Sequence, residues 1–208
     1  MDAEQESLAN PFRMDEDCRH CSALCETRSQ VVHGYGDAGA DLAVVGTAPD
    51  GTADTVGVPF ADPEGSLVYD LLAEVGRCED PAATRPTVEN AYLTYLTRCH
   101  HPDRGPTDEE VRACEAFLSS ELRMVNPDLI VAVGQRTLEG LAFEYTTRSA
   151  EEFDVAAEHA TTVRGRGFEI LPMVPPREQT TEQTEAFRAH LHEELDRDYR
   201  QTKGRRGR

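Results

Sequence analysis

Short apolar runs alternate with amphipathic stretches along most of the chain. DLAVVG (41–46) and LIVAVG (129–134) are continuous apolar segments closed by glycine, the pattern of strands buried on both faces. AYLTYLT (91–97) and FEILPMV (168–174) read as two further strands. GSLVYDLLAEVG (65–76) places Leu67, Leu71, Leu72 and Val75 at helical spacing, with Gly76 as the stop. Thr107 and Glu110 form a capping box, and the helix they open carries Val111, Cys114, Phe117, Leu118, Leu122 and Val125 on one face. A short helix is expected from Gln135 and a last one over 181–199, whereas 144–167 reads as a charged, irregular insertion. Strands alternating with helices indicate an α/β fold with a mainly parallel sheet. Ligands in such folds lie beyond the carboxyl ends of the strands, so the loops after Gly46, Thr97, Gly134 and Val174 are expected on one rim.

At 208 residues the chain suits one compact domain, and no apolar run approaches the ~20 residues of a membrane span. The start, MDAEQESLANPF, has neither a basic nor an apolar stretch, so a cytoplasmic protein without a secretory signal is expected. Charge complicates the search for partners. The chain has 39 acidic against 21 basic residues, for a net charge of −18, and Lys203 is its single lysine. A lysine-poor acidic surface fits a protein kept soluble in concentrated salt, where at ~1 M the Debye length is only ~3 Å and like charges scarcely repel. Net charge then excludes no class of partner.

Six cysteines in a cytoplasmic chain point to metal or redox chemistry before disulfides. Cys18, Cys21 and Cys25 lie in CRHCSALC, Cys99 and Cys114 lie mid-chain, and Cys78 stands alone as a structural thiol. A CxxC pair presents two thiolates from one turn, and Cys99 with Cys114 across a strand–turn–helix can complete a four-sulfur shell for zinc or an iron–sulfur cluster. The alternative is that Cys114 is a buried core thiol and only the N-terminal trio matters. Cys25 is either a spare thiol or a substitute ligand.

The stretch VVGTAPDGTADTVGVPFADPEGSLVYDLL (44–72), with Gly46, Ala48, Pro49, Asp54, Gly57, Pro59, Phe60 and Gly65 in order, resembles the uracil-DNA glycosylase superfamily, and within it the family-4, iron–sulfur branch. YLTYLTRCHHPDRGPTDEEVRAC (92–114) is similar to that family's strand, Pro-rich turn, helix and second cysteine pair, with a turn one residue shorter, as in the family-5 branch. LIVAVG looks like its next strand, and the resemblance runs from about residue 18 to 176. It implies a three-layer αβα fold with a central, mainly parallel four-stranded sheet. The domain would span 18–199, between a polar arm (1–17) and a basic tail (200–208). It also implies a [4Fe-4S] cluster on Cys18, Cys21, Cys99 and Cys114, with zinc as the lesser alternative, and a monomer that binds DNA and no membrane. Phe60 would stack on a flipped base, the backbone around Gly46 and Ala48 would cradle it, and Asp54 matches an acidic position in the water-activating loop.

Four departures bear on activity. The family's Glu after the first Gly is Thr47, the last Gly of that signature is Asp50, the Asn that reads the uracil edge is Tyr95, and the His before Pro near the last strand is Pro175. Losing one preorganised donor commonly costs ~10²–10³ in rate. Losing the edge-reading amide erodes base discrimination by ~10². Asp50 is a second candidate for orienting water, and either aspartate reads equally well as a solvated loop carboxylate. His100 and His101 are candidates for the missing donor or for phosphate contacts. Tyr95 either stacks on a base or fills the emptied pocket as core. Arg98, Arg104, Lys203, Arg205 and Arg206 are expected phosphate contacts, with Arg208, Arg164 and Arg166 behind them. The leading expectation is a DNA N-glycosylase of base-excision repair that excises uracil or another deaminated base. The second is a catalytically impaired iron–sulfur protein of the same fold that recognises DNA or damage, and the third is a zinc-stabilised α/β domain unrelated to DNA.

Overall fold

The computed structural model describes residues 5, 7–62 and 66–197, so the expected tail contacts Lys203, Arg205, Arg206 and Arg208, and Gly65, lie outside the described residues. The chain falls into two compact units, Met1–Pro127 and Asp128–Arg208. The first contains α1 (Ser22–Thr27), β1 (Tyr35–Gly36), β2 (Leu42–Gly46), α2 (Gly51–Val56), α3 (Ser66–Glu74), β3 (Cys78–Glu79), β4 (Thr87–Val88), β5 (Ala91–Tyr95) and α4 (Asp108–Val125). The second contains β6 (Leu129–Val133), α5 (Gln135–Tyr145), α6 (Val155–Glu158), β7 (Val163–Arg164), β8 (Glu169–Met173) and α7 (Thr181–Leu195), with two 3-10 turns, Ala150–Glu152 and Pro176–Glu178.

The four apolar runs are the four long strands. β2 and β5 pair in parallel from Leu42 opposite Ala91 to Gly46 opposite Tyr95, and β6 and β8 pair in parallel from Leu129 opposite Glu169 to Val133 opposite Met173. Every residue of β2, β5 and β6 is buried, as continuous apolar strands covered on both faces must be. Each unit adds one short antiparallel strand that two residues of sequence could not announce: β1 on β5, and β7 on β8. The α/β class and three-layer character expected from the sequence are those of the structure.

Local signals placed the helix ends well. Thr107 and Glu110 exchange the two bonds of a capping box at the start of α4. Gly76, at φ 72°, follows α3 in the left-handed conformation that glycine adopts without a Cβ clash. Two regions differ from expectation. Residues 144–167 are organised rather than irregular: Asp154 caps α6 through the amides of Ala156 and Ala157, and Val163 pairs with Ile170. Each element there is four residues or shorter, too brief for a period to show. At the other end, part of the polar N-terminal segment is laid against the first unit. Gly36 N–H donates to the Leu8 carbonyl (2.8 Å), Asn10 N–H donates to that of Gly34 (2.9 Å), and the Phe12 ring lies 5.7 Å from Tyr92.

Candidate functional site

The cysteines gather where three segments of the first unit end. Cys18 and Cys21 precede α1, with Cys21 at its N-cap position, and Cys25 sits within that helix. Cys99 follows β5, and Cys114 lies on the buried face of α4. Val32 N–H donates to the Arg98 carbonyl (2.8 Å) and Thr27 Oγ1 to that of His100 (3.0 Å), which stitches the chain after α1 to the Cys99 segment. Cys18, Cys99, Leu24 and Val31 form one apolar cluster, with Cys21 and Phe117 against it.

The four sulfurs sense one another. Burial pushes the Cys21 thiol up to about 11, and the nearby charges of Cys114, Glu110, Cys99 and Cys18 add to the effect. Burial also raises Cys99, opposed by a bond from Arg28, and raises Cys114, opposed by a backbone amide of Arg98 and that residue's charge. A metal cation that binds such thiols takes the place of their protons, which are released to solvent, and so metal affinity becomes coupled to pH. Among the described residues no group of three or more His, Cys, Asp or Glu side chains converges tightly enough to hold a single metal ion. The donor set nonetheless fits a cluster, because four cysteines on a cubane each bind a different iron and need not meet at one point. Arg28 was not foreseen. Its guanidinium donates to Cys99 Sγ at 2.9 Å and to the Cys18 carbonyl. The available signal was chemical: four thiolates in a buried group need positive charge nearby, and Arg28 is the cation three residues beyond Cys25. The Cys25 thiol donates to the Cys18 carbonyl at 3.7 Å. Cys78 stands apart in β3, next to Asp80 and Asp70, and its thiol is raised to about 11 mainly by burial.

Beside this group runs the loop from β2 to α3. The Gly46 and Thr47 carbonyls accept the amides of Leu96 (2.8 Å) and Thr97 (3.1 Å), which fixes the end of β2 against the end of β5. Asp50 caps α2 by accepting the Ala53 amide at Oδ1 (2.7 Å). Partial burial raises its pKa above the usual carboxylate value, and the charge of Asp62 raises it further, while the amides of Ala53 and Thr52 and the nearby His100 oppose the rise. His100 Nδ1 lies 3.0 Å from the Pro49 carbonyl oxygen, and its Nε2 would stand 3.7 Å from a Cβ placed on Gly51. Asp50, Asp62 and His100 thus surround one short turn of chain, with Ala48 half-buried at its start.

Asp54 is placed differently. It is 3 % exposed, and its two oxygens accept the Ser29 amide (2.7 Å) and the Gln30 amide (3.5 Å), while Gln30 Nε2 donates to the Asp54 carbonyl (2.8 Å). This carboxylate fastens the chain after α1 to α2. It has no part in the Asp50 group.

Phe60 and Tyr95 form a pair across Gly46. Their ring centroids are 5.0 Å apart, tilted by 34°, and the Phe60 amide donates to the Tyr95 hydroxyl at 2.7 Å. Phe60 sits at φ 57°, left-handed backbone that a bulky residue adopts only when its surroundings hold it there. Tyr69 Oη adds a bond to the Pro59 carbonyl (2.6 Å). A Cβ on Gly46 would lie 2.8 Å from both Phe60 Cζ and Tyr95 Cδ1, so only glycine fits beneath the rings. Tyr95 is buried, and burial together with Asp50 and Asp62 keeps its phenol protonated well above the ordinary range. In this structure the Tyr95 ring is buried and packed against Phe60.

The expected phosphate contacts are corrected in part. Arg98 is 1 % exposed: it pairs with Glu121 at 2.5 Å and donates to the Tyr95 carbonyl, so it braces the end of β5 and meets no solvent. Glu121 also accepts Thr94 Oγ1 (2.7 Å) and the Gly34 amide (3.2 Å), a buried polar hub that an apolar-stripe reading of α4 passes over. Arg104 lies at the surface but grips both oxygens of Glu110 at 2.7 Å. In the second unit, Arg164 is exposed on β7, Arg166 N–H donates to the Tyr145 carbonyl (2.6 Å), and Pro175 opens the 3-10 turn. No helix among the described residues is long and apolar enough to cross a membrane.

Comparison with known proteins agrees with this geometry. The profile of the uracil DNA glycosylase superfamily matches residues 33–196. A type-4 uracil-DNA glycosylase of Archaeoglobus fulgidus is 30 % identical over 166 residues, covering 79 % of this chain and 74 % of that protein. Another, of Thermotoga maritima, is 35 % identical over 129 residues, 60 % and 62 % of the two chains. A type-5 uracil-DNA glycosylase of Thermus thermophilus is 32 % identical over 166 residues, 68 % and 75 % of the two. The chain belongs to the uracil DNA glycosylase superfamily.

Proposed function

We propose that the protein is a DNA N-glycosylase that hydrolyses the bond between deoxyribose and a deaminated base, with Asp50 as the residue that orients the attacking water. The observation that carries this reading is the environment of Asp50: a half-buried carboxylate of raised pKa at the turn after β2, with Asp62 and His100 around it and the Phe60–Tyr95 pair close by. Bases and nucleophiles with perturbed pKa in such a turn are candidate catalytic groups. The water oxygen bonds to C1′, the C1′–N bond breaks, and its electron pair leaves with the base. The carboxylate holds the water and takes its proton, and its negative charge favours the cationic character that develops on the sugar. Asp54, buried with each of its oxygens accepting a backbone amide, is a buttress in this scheme.

Tyr95 shapes which base is accepted. Its ring occupies the space where an edge-reading amide would stand, so recognition of the pyrimidine edge is weakened and stacking carries more of the binding. At molar salt, counterion release contributes little to DNA affinity, which places the same demand on stacking and groove shape. Cys18, Cys21, Cys99 and Cys114 would hold a [4Fe-4S] cluster that fixes the ends of α1, β5 and α4 and so the surface offered to DNA; it supplies no bond-making chemistry. Arg104, at the surface and paired with Glu110, and Arg164, exposed on β7, are the remaining candidate phosphate contacts among the described residues.

A second reading, a damage-recognition protein without turnover, is favoured by one observation: Phe60 and Tyr95 satisfy each other's stacking and hydrogen bonding without a base. Incubating the protein in molar KCl with oligonucleotides bearing uracil or hypoxanthine, followed by alkaline cleavage at abasic sites, separates the two. Product that disappears with Asp50→Asn supports the glycosylase, and tight binding with no product at enzyme excess supports the second reading.

A further inference from the structure

The guanidinium of Arg28 is bound by two parts of the cysteine group at once. It donates to Cys99 Sγ at 2.9 Å, and its other terminal nitrogen donates to the carbonyl of Cys18. One belongs to the segment after β5 and the other to the turn before α1. Its positive charge is also felt from Cys25, Cys18 and Cys114. Arg28 is half-buried, so water screens these interactions only in part. The second donor to the group is the backbone amide of Arg98 at Cys114. The Arg98 side chain is neutralised by Glu121, and Arg104 by Glu110. Among the described residues Arg28 has no such carboxylate partner, and what its guanidinium bonds instead is the Cys99 sulfur.

We infer that Arg28 is the positioning residue of the four-cysteine centre, tying the CxxC turn to Cys99 and supplying, through an N–H···S bond and its charge, the electrostatic compensation that retains the metal and sets its potential. The inference rests on the reading that these cysteines carry an iron–sulfur cluster. Two consequences are physical. Partners hydrogen-bonded to the ligands of a metal centre commonly contribute ~10–100-fold in affinity. Hydrogen bonds and positive charge at the sulfurs also stabilise the more reduced cluster, so they raise its potential.

The full-length protein, purified without oxygen, is compared with Arg28→Gln and Arg28→Lys. Iron and acid-labile sulfide are counted first. Then the loss of visible absorbance to a chelator and the midpoint potential are measured; neither readout depends on glycosylase activity. The expected result is that Arg28→Gln loses iron ~10-fold faster or more and has a lower potential, with Arg28→Lys between it and the parent. Full iron and sulfide in parent and Arg28→Gln, with the same chelation rate and potential, would overturn the assignment of Arg28 while leaving the cluster standing. A parent protein free of sulfide would overturn the cluster reading itself, and the inference with it. If Arg28→Gln does not accumulate, Arg28→Lys decides. It keeps the charge but not the two-pronged fork, and wild-type kinetics and potential in that variant would contradict the assignment.

Discussion

The cysteine group and the loop after β2 are neighbours in one unit, yet they depart from the family pattern to very different degrees. All four expected cysteines are present and gathered. The loop keeps Gly46, Gly57 and Phe60, but by the resemblance Thr47 and Asp50 in it, and Tyr95 at the end of β5, stand where the family has other residues. A metal centre asks only for sulfur at the right places, so the proposed one would tolerate change in its surroundings. A base-reading pocket depends on the shape and hydrogen bonding of each side chain, so the proposed exchange of an amide for the Tyr95 ring would redraw it. The contrast locates this protein's individuality at the pocket and its inheritance at the scaffold.

Several substitutions would break or sharpen that contrast. The largest effect is expected from Cys114→Ser, which should empty the centre of iron, whereas Cys25→Ser should leave iron content unchanged; iron analysis of the two purified proteins checks this. If both lose iron, Cys25 is a ligand and the assignment of four is wrong. Next comes the buried Arg98–Glu121 pair. Arg98→Met leaves Glu121 charged and unpaired in the core and should cost about 3–5 kcal/mol in denaturant unfolding. An effect below about 1 kcal/mol, the size of an exposed pair, would mean that the pair is solvated after all.

The two aspartates of the loop should separate chemistry from stability. Asp50→Asn is expected to lower the single-turnover excision rate ~10²-fold or more at little cost in stability. Asp54→Asn should leave that rate alone and cost about 1–3 kcal/mol, because an amide nitrogen would face backbone N–H donors. The rate should also fall with pH earlier than an ordinary aspartate allows. A raised pKa means that Asp50 takes up its proton while the pH is still above the usual carboxylate range, and the base is lost there. The smallest effect concerns Glu110, which Arg104 holds down at about 2. Its folded pKa lies below the unfolded one near 4.5, so its contribution to stability is full above the unfolded value and lost as pH falls from there towards 2. Unfolding curves of Arg104→Ala across that window should be flatter than those of the parent.

Much of the scaffold was legible because its signals are local. The apolar runs ending in Gly46 and Gly134 and the Thr107–Glu110 box each specify a strand or a helix start within a few residues. The site was legible by residue type but not by orientation. Asp50 and Asp54 lie on adjacent turns with the same chemistry, and only the packing of Ser29 and Gln30 shows that one of them is occupied. Arg98 follows the same lesson: next to a cysteine and a histidine it looks like a surface cation, and the partner that buries it, Glu121, is 23 residues away. Arg28 belongs to the same class, since its partner Cys99 is 71 residues distant. Long-range pairs of this kind leave no periodicity to read.

The most direct measurement is a single-turnover time course in molar KCl with iron-replete protein in excess over single- and double-stranded oligonucleotides that carry uracil, hypoxanthine or xanthine. Abasic sites accumulating from at least one of these substrates, and lost with Asp50→Asn but not with Asp54→Asn, are the predicted result. No abasic product from any of them, with the metal centre intact, would contradict glycosidic hydrolysis as the protein's activity.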